Sequence, residues 1–181
     1  MEILRILTHR GRERGISFIL IGGHALNVYG VARQTGDVDI VVRAEDRNEW
    51  RAILTSLGYK LYHDHPSFMQ FMAPSIDTWP VDLILVDGPT FTGLHHDGRE
   101  VELGAARVIV PSVEHLLALK LHVLKQQQPE RELRDLEDIL GLIERARVDV
   151  SRPAFLHLCE KYGTREIHDR IVELMRKRRA P

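Results

Sequence analysis

Cysteine and long apolar runs are scarce in this 181-residue chain, and both absences limit its class. Cys159 is the only cysteine, so no disulfide can form within one chain, which is typical of a protein of the reducing cytoplasm. The segment after Met1 lacks the apolar core of a signal peptide, and no run approaches the roughly 20 apolar residues of a membrane span. We therefore expect a cytoplasmic protein with no membrane partner.

An excess of charge of one sign is also missing. The formal net charge of −1 gives no overall attraction to nucleic acid or to a membrane surface. Residues 111–181 nevertheless hold more basic than acidic side chains, and the chain closes with the basic run Arg176, Lys177, Arg178 and Arg179. Such a run is typical of a solvated tail, and RNA binding is the alternative.

Histidine, by contrast, is frequent, with 10 residues. A zinc site normally combines histidines with cysteines or places two of them on one face of a helix. His63, His65, His95 and His96 have neither arrangement. We therefore expect these four residues to lie in surface loops.

The apolar fraction of 44% allows an ordinary globular core, and the pattern changes along the chain. Alternating or apolar segments predict strands at residues 17–21, 37–42, 67–72, 81–86, 100–103 and 107–110. Helical spacing predicts helices at residues 2–13, 24–30 and 45–57. After Pro111 it predicts a helix over PSVEHLLALKLHVLK, with Ser112 as its N-cap, and further helices at residues 130–146, 151–161 and 164–178. We expect an α+β protein, with an α/β half over residues 1–110 and a helical extension over residues 111–181.

Two aspartates interrupt the predicted strand 37–42, which otherwise reads as buried. Alternate residues of a strand share a face, so Asp37 and Asp39 point the same way with their backbones about 7 Å apart. Asp82 lies in the apolar strand 81–86, and if the two strands pair, three carboxylates gather on one surface. Such a cluster repels itself unless a cation neutralises it, and oxygen-only ligands favour Mg²⁺ or Mn²⁺.

A glycine pair precedes the aspartates, between the predicted strand 17–21 and the predicted helix 24–30. Gly22 and Gly23 allow the backbone to approach a ligand closely, and the helix that starts near His24 presents backbone N–H groups suited to phosphate. A phosphate held there would reach ions held by Asp37 and Asp39. This combination is typical of phosphoryl or nucleotidyl transfer.

Structural explanations exist for each of these features taken alone. Most glycine pairs between a strand and a helix are only turns. Asp37 could cap the turn before it, Asp39 could pair with Arg33 or Arg43, and Asp82 could be an ordinary strand-end residue. It is the order and spacing of all of them together that favours a functional site.

Gly22, Gly23, Asp37, Asp39 and Asp82 follow the pattern of a known superfamily, and the chain resembles nucleotidyltransferases of the DNA polymerase beta fold. The stretch GGHALNVYGVARQTGDVDIVV is more similar to the branch that contains AbiEii-type toxins of toxin–antitoxin systems. The segment PSVEHLLALKLHVLK and the later RELRDLEDI are also similar to that branch. The resemblance covers roughly residues 15–145 and implies a nucleotidyltransferase-like mixed sheet flanked by helices.

The resemblance also implies roles for individual residues. Asp37, Asp39 and Asp82 would hold Mg²⁺ or Mn²⁺, and Asp82 would act as base toward the acceptor hydroxyl. Lys120 would hold a nucleotide phosphate, or would only extend from an apolar helix to solvent. Asp135, with Asp138 one turn on, would orient Lys120 or the acceptor. The nucleotide-binding set implied in this way is Gly22, Gly23, His24, Arg33, Lys120 and Asp135.

Three functions follow from these observations. The first is a metal-dependent nucleotidyltransferase that moves NMP from an NTP to tRNA or protein, in a toxin-like setting with a possible antitoxin partner. The second is nucleotidyl transfer to a small molecule of the aminoglycoside type. The third is a catalytically degenerate member that binds a nucleotide or a partner protein.

Overall fold

The computed structural model describes residues 2–126 and 129–179. Its strands are β1 Ile19–Leu20, β2 Val38–Arg43, β3 Lys60–His65, β4 Phe68–Met72, β5 Val81–Val86, β6 Arg99–Leu103 and β7 Ala106–Val110. Its helices are α1 Glu2–Glu13, α2 Gly22–Val28, α3 Arg47–Ser56, α4 Gly88–His96, α5 Val113–Lys125, α6 Pro129–Ala146, α7 Pro153–Tyr162 and α8 Arg165–Arg179. Among these described helices, none combines the length and the apolar character that crossing a bilayer requires.

All seven strands join one mixed sheet in the order β3-β4-β5-β2-β1-β7-β6. The pairs β2–β5 and β1–β7 are parallel, and the remaining neighbours are antiparallel. Helices flank this sheet, so the expected mixed α/β architecture is confirmed. The central pair β2–β5 sets the geometry of the site, because its register places Asp39 directly beside Asp82.

The side chains of β5 alternate between a buried and a more open face of the sheet. Val81, Leu83 and Leu85 are buried on one face, whereas Asp82 and Ile84 are only half-buried on the other. Apolar residues at every second position favour the burial of one face only, so the opposite face is available for polar groups. On β2, Asp39 points to the same face of the sheet as Asp82. Its sequence neighbours Val38 and Ile40 point to the opposite face and are fully buried.

Contacts divide the chain into two compact units. The first unit contains the described residues up to Ala25 together with Arg33–Ser112, and it holds the whole sheet. Its core includes the fully buried Trp50, Phe71 and Phe91. Phe91 on α4 also carries the guanidinium of Arg43 above its ring, 4.3 Å from the ring centre.

The second unit is helical and contains Leu26–Ala32 with the described residues from Val113 onward. Helix α5 packs on α6 and α7, and α8 packs on α6 and α7. The apolar stripe of α6 is fully buried at Ile139, Leu142 and Ile143, as expected for an amphipathic helix. Gly141 lies against Val31, where an added Cβ would come within 2.9 Å of a methyl carbon.

Most predicted elements are present, but the prediction of loops around the four histidines was wrong. His63 and His65 lie on β3, and His95 and His96 lie on α4. β3 is an edge strand whose polar residues are exposed, so it lacks the apolar alternation that marks a strand. Helix α4 begins with Gly-Pro, which reads as a turn, and is capped by the Asp87 carboxylate accepting from the Thr90 N–H at 2.7 Å.

Two boundaries near the glycine pair also differ from the prediction. The strand expected at residues 17–21 is reduced to Ile19–Leu20, and α2 begins at Gly22 rather than at residue 24. Asp37 lies immediately before β2 and not within it. A turn residue has more freedom than a strand residue, so the position of Asp37 depends on the contacts of its own side chain.

Candidate active site

Three carboxylates meet on the open face of β2 and β5. One oxygen from each of Asp37, Asp39 and Asp82 lies within 4.8 Å of the other two, and all three residues are half-buried. Asp39 and Asp82 are register partners on adjacent parallel strands. The structure therefore brings together the three acids that the sequence singled out, although the role of each residue stays a prediction.

Asp37 is held by a threonine of the turn that precedes β2. The Thr35 hydroxyl donates to the Asp37 carboxylate at 2.6 Å. Gly23 lies directly against Thr35, because a Cβ added to Gly23 would be 2.6 Å from the Thr35 Cβ. A side chain at position 23 would displace Thr35 and with it the hydrogen bond to Asp37.

Gly22 plays the corresponding part for Asp39. A Cβ on Gly22 would lie 1.9 Å from the Asp39 Oδ2, so the carboxylate occupies the space that any side chain would need. Gly22 also has φ of +64°, a conformation that favours glycine. The Ile21 N–H donates to the Asp39 carbonyl at 3.0 Å, which ties the turn to β2. The lack of side chains at Gly22 and Gly23 thus leaves the space that Asp39 and Thr35 occupy.

Asp82 is held from its other side by β4. The Gln70 amide donates through Nε2 to the Asp82 Oδ2 at 2.6 Å, and the two residues are register partners of β4 and β5. Gln70, Asp82 and Asp39 therefore form one row across three neighbouring strands. Sequence reasoning missed Gln70, because the pairing of β4 with β5 decides its position and no local pattern reveals that register.

His24 forms part of the wall beside Asp37. Its ring stacks on Trp79 at a centroid distance of 4.8 Å and is 8% exposed. Burial lowers the pKa of His24 below its ordinary value, against the opposing effect of the carbonyl and the charge of Asp37. Its Nε2 is buried with no hydrogen-bond partner among the described residues. An unsatisfied buried nitrogen of this kind is uncommon in folded proteins, and the nucleotide-binding role of His24 stays a prediction.

Tyr62 lies close enough to Asp82 and Asp37 for their charges to affect its pKa. It is the extra residue of a bulge in β3, between Leu61 and His63, and it is 56% exposed. Its pKa is raised above the ordinary value by burial and by the negative charges of Asp82 and Asp37. The bulge therefore adds an aromatic side chain near the carboxylates, which the polar sequence of β3 concealed.

The carboxylate cluster fits a divalent cation by the chemistry of its donors. Mg²⁺ binds oxygen ligands at about 2.0–2.1 Å, so two of its ligands lie at most about 4.2 Å apart. The three oxygens lie within 4.8 Å of one another, so only small rotations of the side chains are needed to reach that separation. Asp37, Asp39 and Asp82 could therefore hold such an ion.

A second ionic cluster lies within the helical unit. The Lys120 ammonium donates to the Asp135 Oδ1 and the Asp138 Oδ2, both at 2.7 Å. Asp135 is 1% exposed and Asp138 is 3% exposed, and the Asp135 Oδ2 has no hydrogen-bond partner among the described residues. The predicted contact between Lys120 and Asp135 is present. Asp138 takes an equal part, because it lies three residues from Asp135 and so on the same helix face.

Arg33, the remaining residue of the predicted nucleotide-binding set, lies in the turn after α2. Its guanidinium donates to the Gln34 carbonyl at 3.0 Å. Arg43, the alternative partner proposed for Asp39, lies 3.9 Å from Glu45 and Asp46 in addition to its contact with the Phe91 ring.

Comparisons with solved structures show the same fold. The antibiotic-resistance factor ANT(2")-Ia in complex with adenylyl-2"-tobramycin is 16% identical, with TM-score 0.59, 98% of this chain and 97% of that chain covered. An antigenic nucleotidyltransferase-like protein from Paracoccidioides brasiliensis is 17% identical, with TM-score 0.56 and coverages of 90% and 92%. A putative nucleotidyltransferase from Thermotoga maritima is 19% identical, with TM-score 0.52 and coverages of 74% and 91%.

Comparison of the sequence itself with curated proteins gives no match. A family model described as "Uncharacterised nucleotidyltransferase" does match, over residues 1–179. This match includes both the carboxylate cluster and the helical unit, and it agrees with the superfamily expected from the sequence. The chain therefore belongs to this family of uncharacterised nucleotidyltransferases and is an enzyme of the nucleotidyltransferase class.

Proposed function

We propose that the protein transfers a nucleoside monophosphate from an NTP to a hydroxyl group, with Asp37, Asp39 and Asp82 holding Mg²⁺ or Mn²⁺. The observation that carries this proposal is the convergence of their oxygens within 4.8 Å. When bound, a divalent ion would neutralise the acids and polarise the phosphate oxygens. Thr35 and Gln70 hold Asp37 and Asp82 in place by hydrogen bonds of 2.6 Å each.

The proposed reaction is a displacement at the α-phosphorus of the NTP. The acceptor oxygen bonds to the α-phosphorus, the bond from that phosphorus to its bridging oxygen breaks, and pyrophosphate leaves. Asp82 accepts the proton of the acceptor hydroxyl. Gly22 and Gly23 bring the backbone close to the nucleotide phosphates, and Arg33 and His24 complete the proposed nucleotide-binding residues of the first unit.

Lys120 and Asp135 are the nucleotide-binding residues proposed in the second unit. Lysine has three N–H donors, of which two are used by Asp135 and Asp138, so one is available for a phosphate oxygen. Two carboxylates around one ammonium leave the cluster with a formal charge of −1. An anionic phosphate therefore gains less here than at an isolated lysine, and much of the role of Lys120 is to neutralise two buried acids.

We propose a small hydroxylated molecule as the acceptor. A tRNA acceptor would be helped by free basic side chains, but two basic residues at the end of α8 are paired with acids of their own unit. Arg178 pairs with Glu137 and Glu144, and Lys177 pairs with Glu173 at 2.6 Å. ANT(2")-Ia with its adenylyl-2"-tobramycin and the lincosamide antibiotic adenylyltransferase LnuA suggest aminoglycosides and lincosamides as first acceptors to test.

The finer alternatives stay predictions that the same experiment addresses. A toxin-like enzyme of the AbiEii type, with an antitoxin partner, would label tRNA or protein. A degenerate member would bind nucleotide without transfer. The carboxylate cluster is complete, which supports the catalytic proposal over the degenerate one.

The test is a transfer assay with purified protein, Mg²⁺ or Mn²⁺ and each α-³²P-labelled NTP in turn. Acceptors are a panel of aminoglycosides and lincosamides, total tRNA, and a protein extract. Label on a small molecule that is lost in Asp37→Ala supports the proposal, whereas label on RNA or protein supports the toxin-like alternative. The exposed Asp77 provides a matched control, because Asp77→Ala removes a carboxylate that does not belong to the cluster. If folded protein transfers label to none of these acceptors, the proposed transferase activity is refuted.

A further inference from the structure

The Asp82 carboxylate is contacted by a glutamine whose amide has a defined orientation. Gln70 Nε2 lies 2.6 Å from the Asp82 Oδ2, and Gln70 Oε1 lies 3.2 Å from the His63 Nδ1. A carboxylate offers only acceptors, so the amide must turn its NH₂ group toward Asp82. Its oxygen then faces His63, which must carry its proton on Nδ1. The three side chains thus form a chain of two hydrogen bonds, each with one possible direction.

The position of His63 is itself the result of a break in strand register. The pairing of β3 with β4 shifts between Leu61 and His63, and this shift brings His63 opposite Gln70. The imidazole also packs edge-on against Phe68, at a centroid distance of 4.9 Å and an angle of 81°. Without the shift, Tyr62 would be the residue opposite Gln70, and its phenol would replace the imidazole.

Holding one oxygen of Asp82 has a consequence for the other. A hydrogen bond to Oδ2 fixes the plane of the carboxylate and therefore the direction in which Oδ1 points. Because Gln70, Asp82 and Asp39 are register partners, that plane is set relative to the neighbouring acid as well. Partners of this kind, which contact a metal ligand without touching the metal, commonly change metal affinity about 10- to 100-fold.

We propose that Gln70 is a positioning residue for Asp82, and that His63 holds the Gln70 amide in the required orientation. This inference rests on the proposed function, in which Asp82 both holds a divalent ion and accepts the proton of the acceptor. In this role Gln70 contacts Asp82 and is not itself a ligand of the ion. Its effect passes through the geometry of one carboxylate.

The test is Mn²⁺ binding by calorimetry, followed by kinetics of nucleotidyl transfer. Gln70→Met keeps the length of the side chain and removes the donor. We expect its Mn²⁺ affinity to fall about 10- to 100-fold and kcat to fall with little change in the KM for NTP. His63→Phe keeps a ring beside Phe68 and removes the Nδ1 donor, and we expect an effect in the same direction, of roughly 2- to 10-fold.

A variant with both substitutions tests whether His63 and Gln70 act in series, through one chain of hydrogen bonds, or independently of each other. If His63 acts through Gln70, the variant with both substitutions binds Mn²⁺ no more weakly than Gln70→Met alone. The matched control is Gln126→Leu, because Gln126 also pairs with a histidine, at 3.1 Å to His122, but in the helical unit. We expect it to bind Mn²⁺ like the unmodified protein.

The outcomes distinguish this inference from the proposed function. Wild-type Mn²⁺ affinity in Gln70→Met would overturn the positioning role, provided that Asp39→Asn abolishes binding in the same assay. If Asp39→Asn also leaves binding unchanged, the proposed metal site itself is wrong, and the inference fails with it. If Gln70→Met lowers the unfolding midpoint, its loss of affinity could reflect misfolding, and the test then depends on His63→Phe at an exposed position. Unchanged Mn²⁺ affinity in His63→Phe would overturn the proposed role of the hydrogen-bonded chain.

Discussion

Replacing Asp39 by asparagine should stabilise the protein when divalent ions are removed. The three carboxylates lie within 4.8 Å of one another, and two unit charges at that distance repel by about 1 kcal/mol in water and about 3.5 kcal/mol at an effective dielectric constant of about 20. Asp39 takes part in two of the three pairs. The Asp39→Asn substitution would remove both repulsions, and the new amide could donate to the two remaining acids.

Salt screening and the half-exposed position of the cluster reduce this gain, so we expect an increase of about 1–2 kcal/mol in the free energy of unfolding. For a chain of this size, that change corresponds to a rise of about 2–8 °C in the melting temperature. The measurement is thermal unfolding in EDTA, followed by circular dichroism. Asp77→Asn is the control, because it neutralises an exposed aspartate outside the cluster.

Adding Mn²⁺ or Mg²⁺ should make the wild-type protein melt at a higher temperature than Asp39→Asn, the reverse of the order expected in EDTA. An ion at about 100 times its Kd stabilises the wild-type protein by about 2.7 kcal/mol, whereas the variant lacks one ligand and gains little. A variant that melts well below wild type in EDTA would show that Asp39 serves a stabilising ion pair instead. Equal responses of the two proteins to Mn²⁺ would contradict the proposed metal site.

Further predictions concern the turn, the helical unit and the lone thiol. Gly22→Ala should abolish Mn²⁺ binding and cost about 1–3 kcal/mol of stability, since its Cβ would overlap Asp39, whereas Gly36→Ala has open space and should do neither. Lys120→Met should lower the urea unfolding free energy by about 3–5 kcal/mol, because two buried carboxylates lose their cation, and a loss below about 1 kcal/mol would contradict this role. Burial raises the pKa of Cys159 to about 12, so a thiol reagent near pH 8 should react only on unfolding, and fast reaction of the native protein would refute that expectation.

The sequence was sufficient to predict that the three acids gather, but not that Gln70 holds one of them. Asp37, Asp39 and Asp82 are recognisable because a charged residue in a segment with the pattern of an apolar strand is unusual, and their order matches the superfamily that the chain resembles. The sequence pattern does not identify Gln70, because its position beside Asp82 follows from the pairing of β4 with β5. Asp138 was named together with Asp135, because their spacing puts both acids on one helix face.

The fold was predictable where one face of an element is buried. β5 and α6 show the periodicity of two and of about 3.6 residues, and both were expected at nearly the observed positions. β3 is exposed along its length and α4 begins with Gly-Pro, so neither carries a periodic apolar signal. Tertiary pairing at the edge of the sheet, rather than local preference, determines β3.

The row formed by Gln70, Asp82 and Asp39 also protects the pairing of its own strands. A shift of β2 or β5 by one residue would turn a carboxylate into the space that Ile40 or Leu83 fills, and burying an unpaired charge there is costly. Misaligned sheets are therefore penalised before any ion binds. Chains that reach the folded state therefore already carry Asp39 and Asp82 side by side, so the residues that form the cluster also favour the correct strand register.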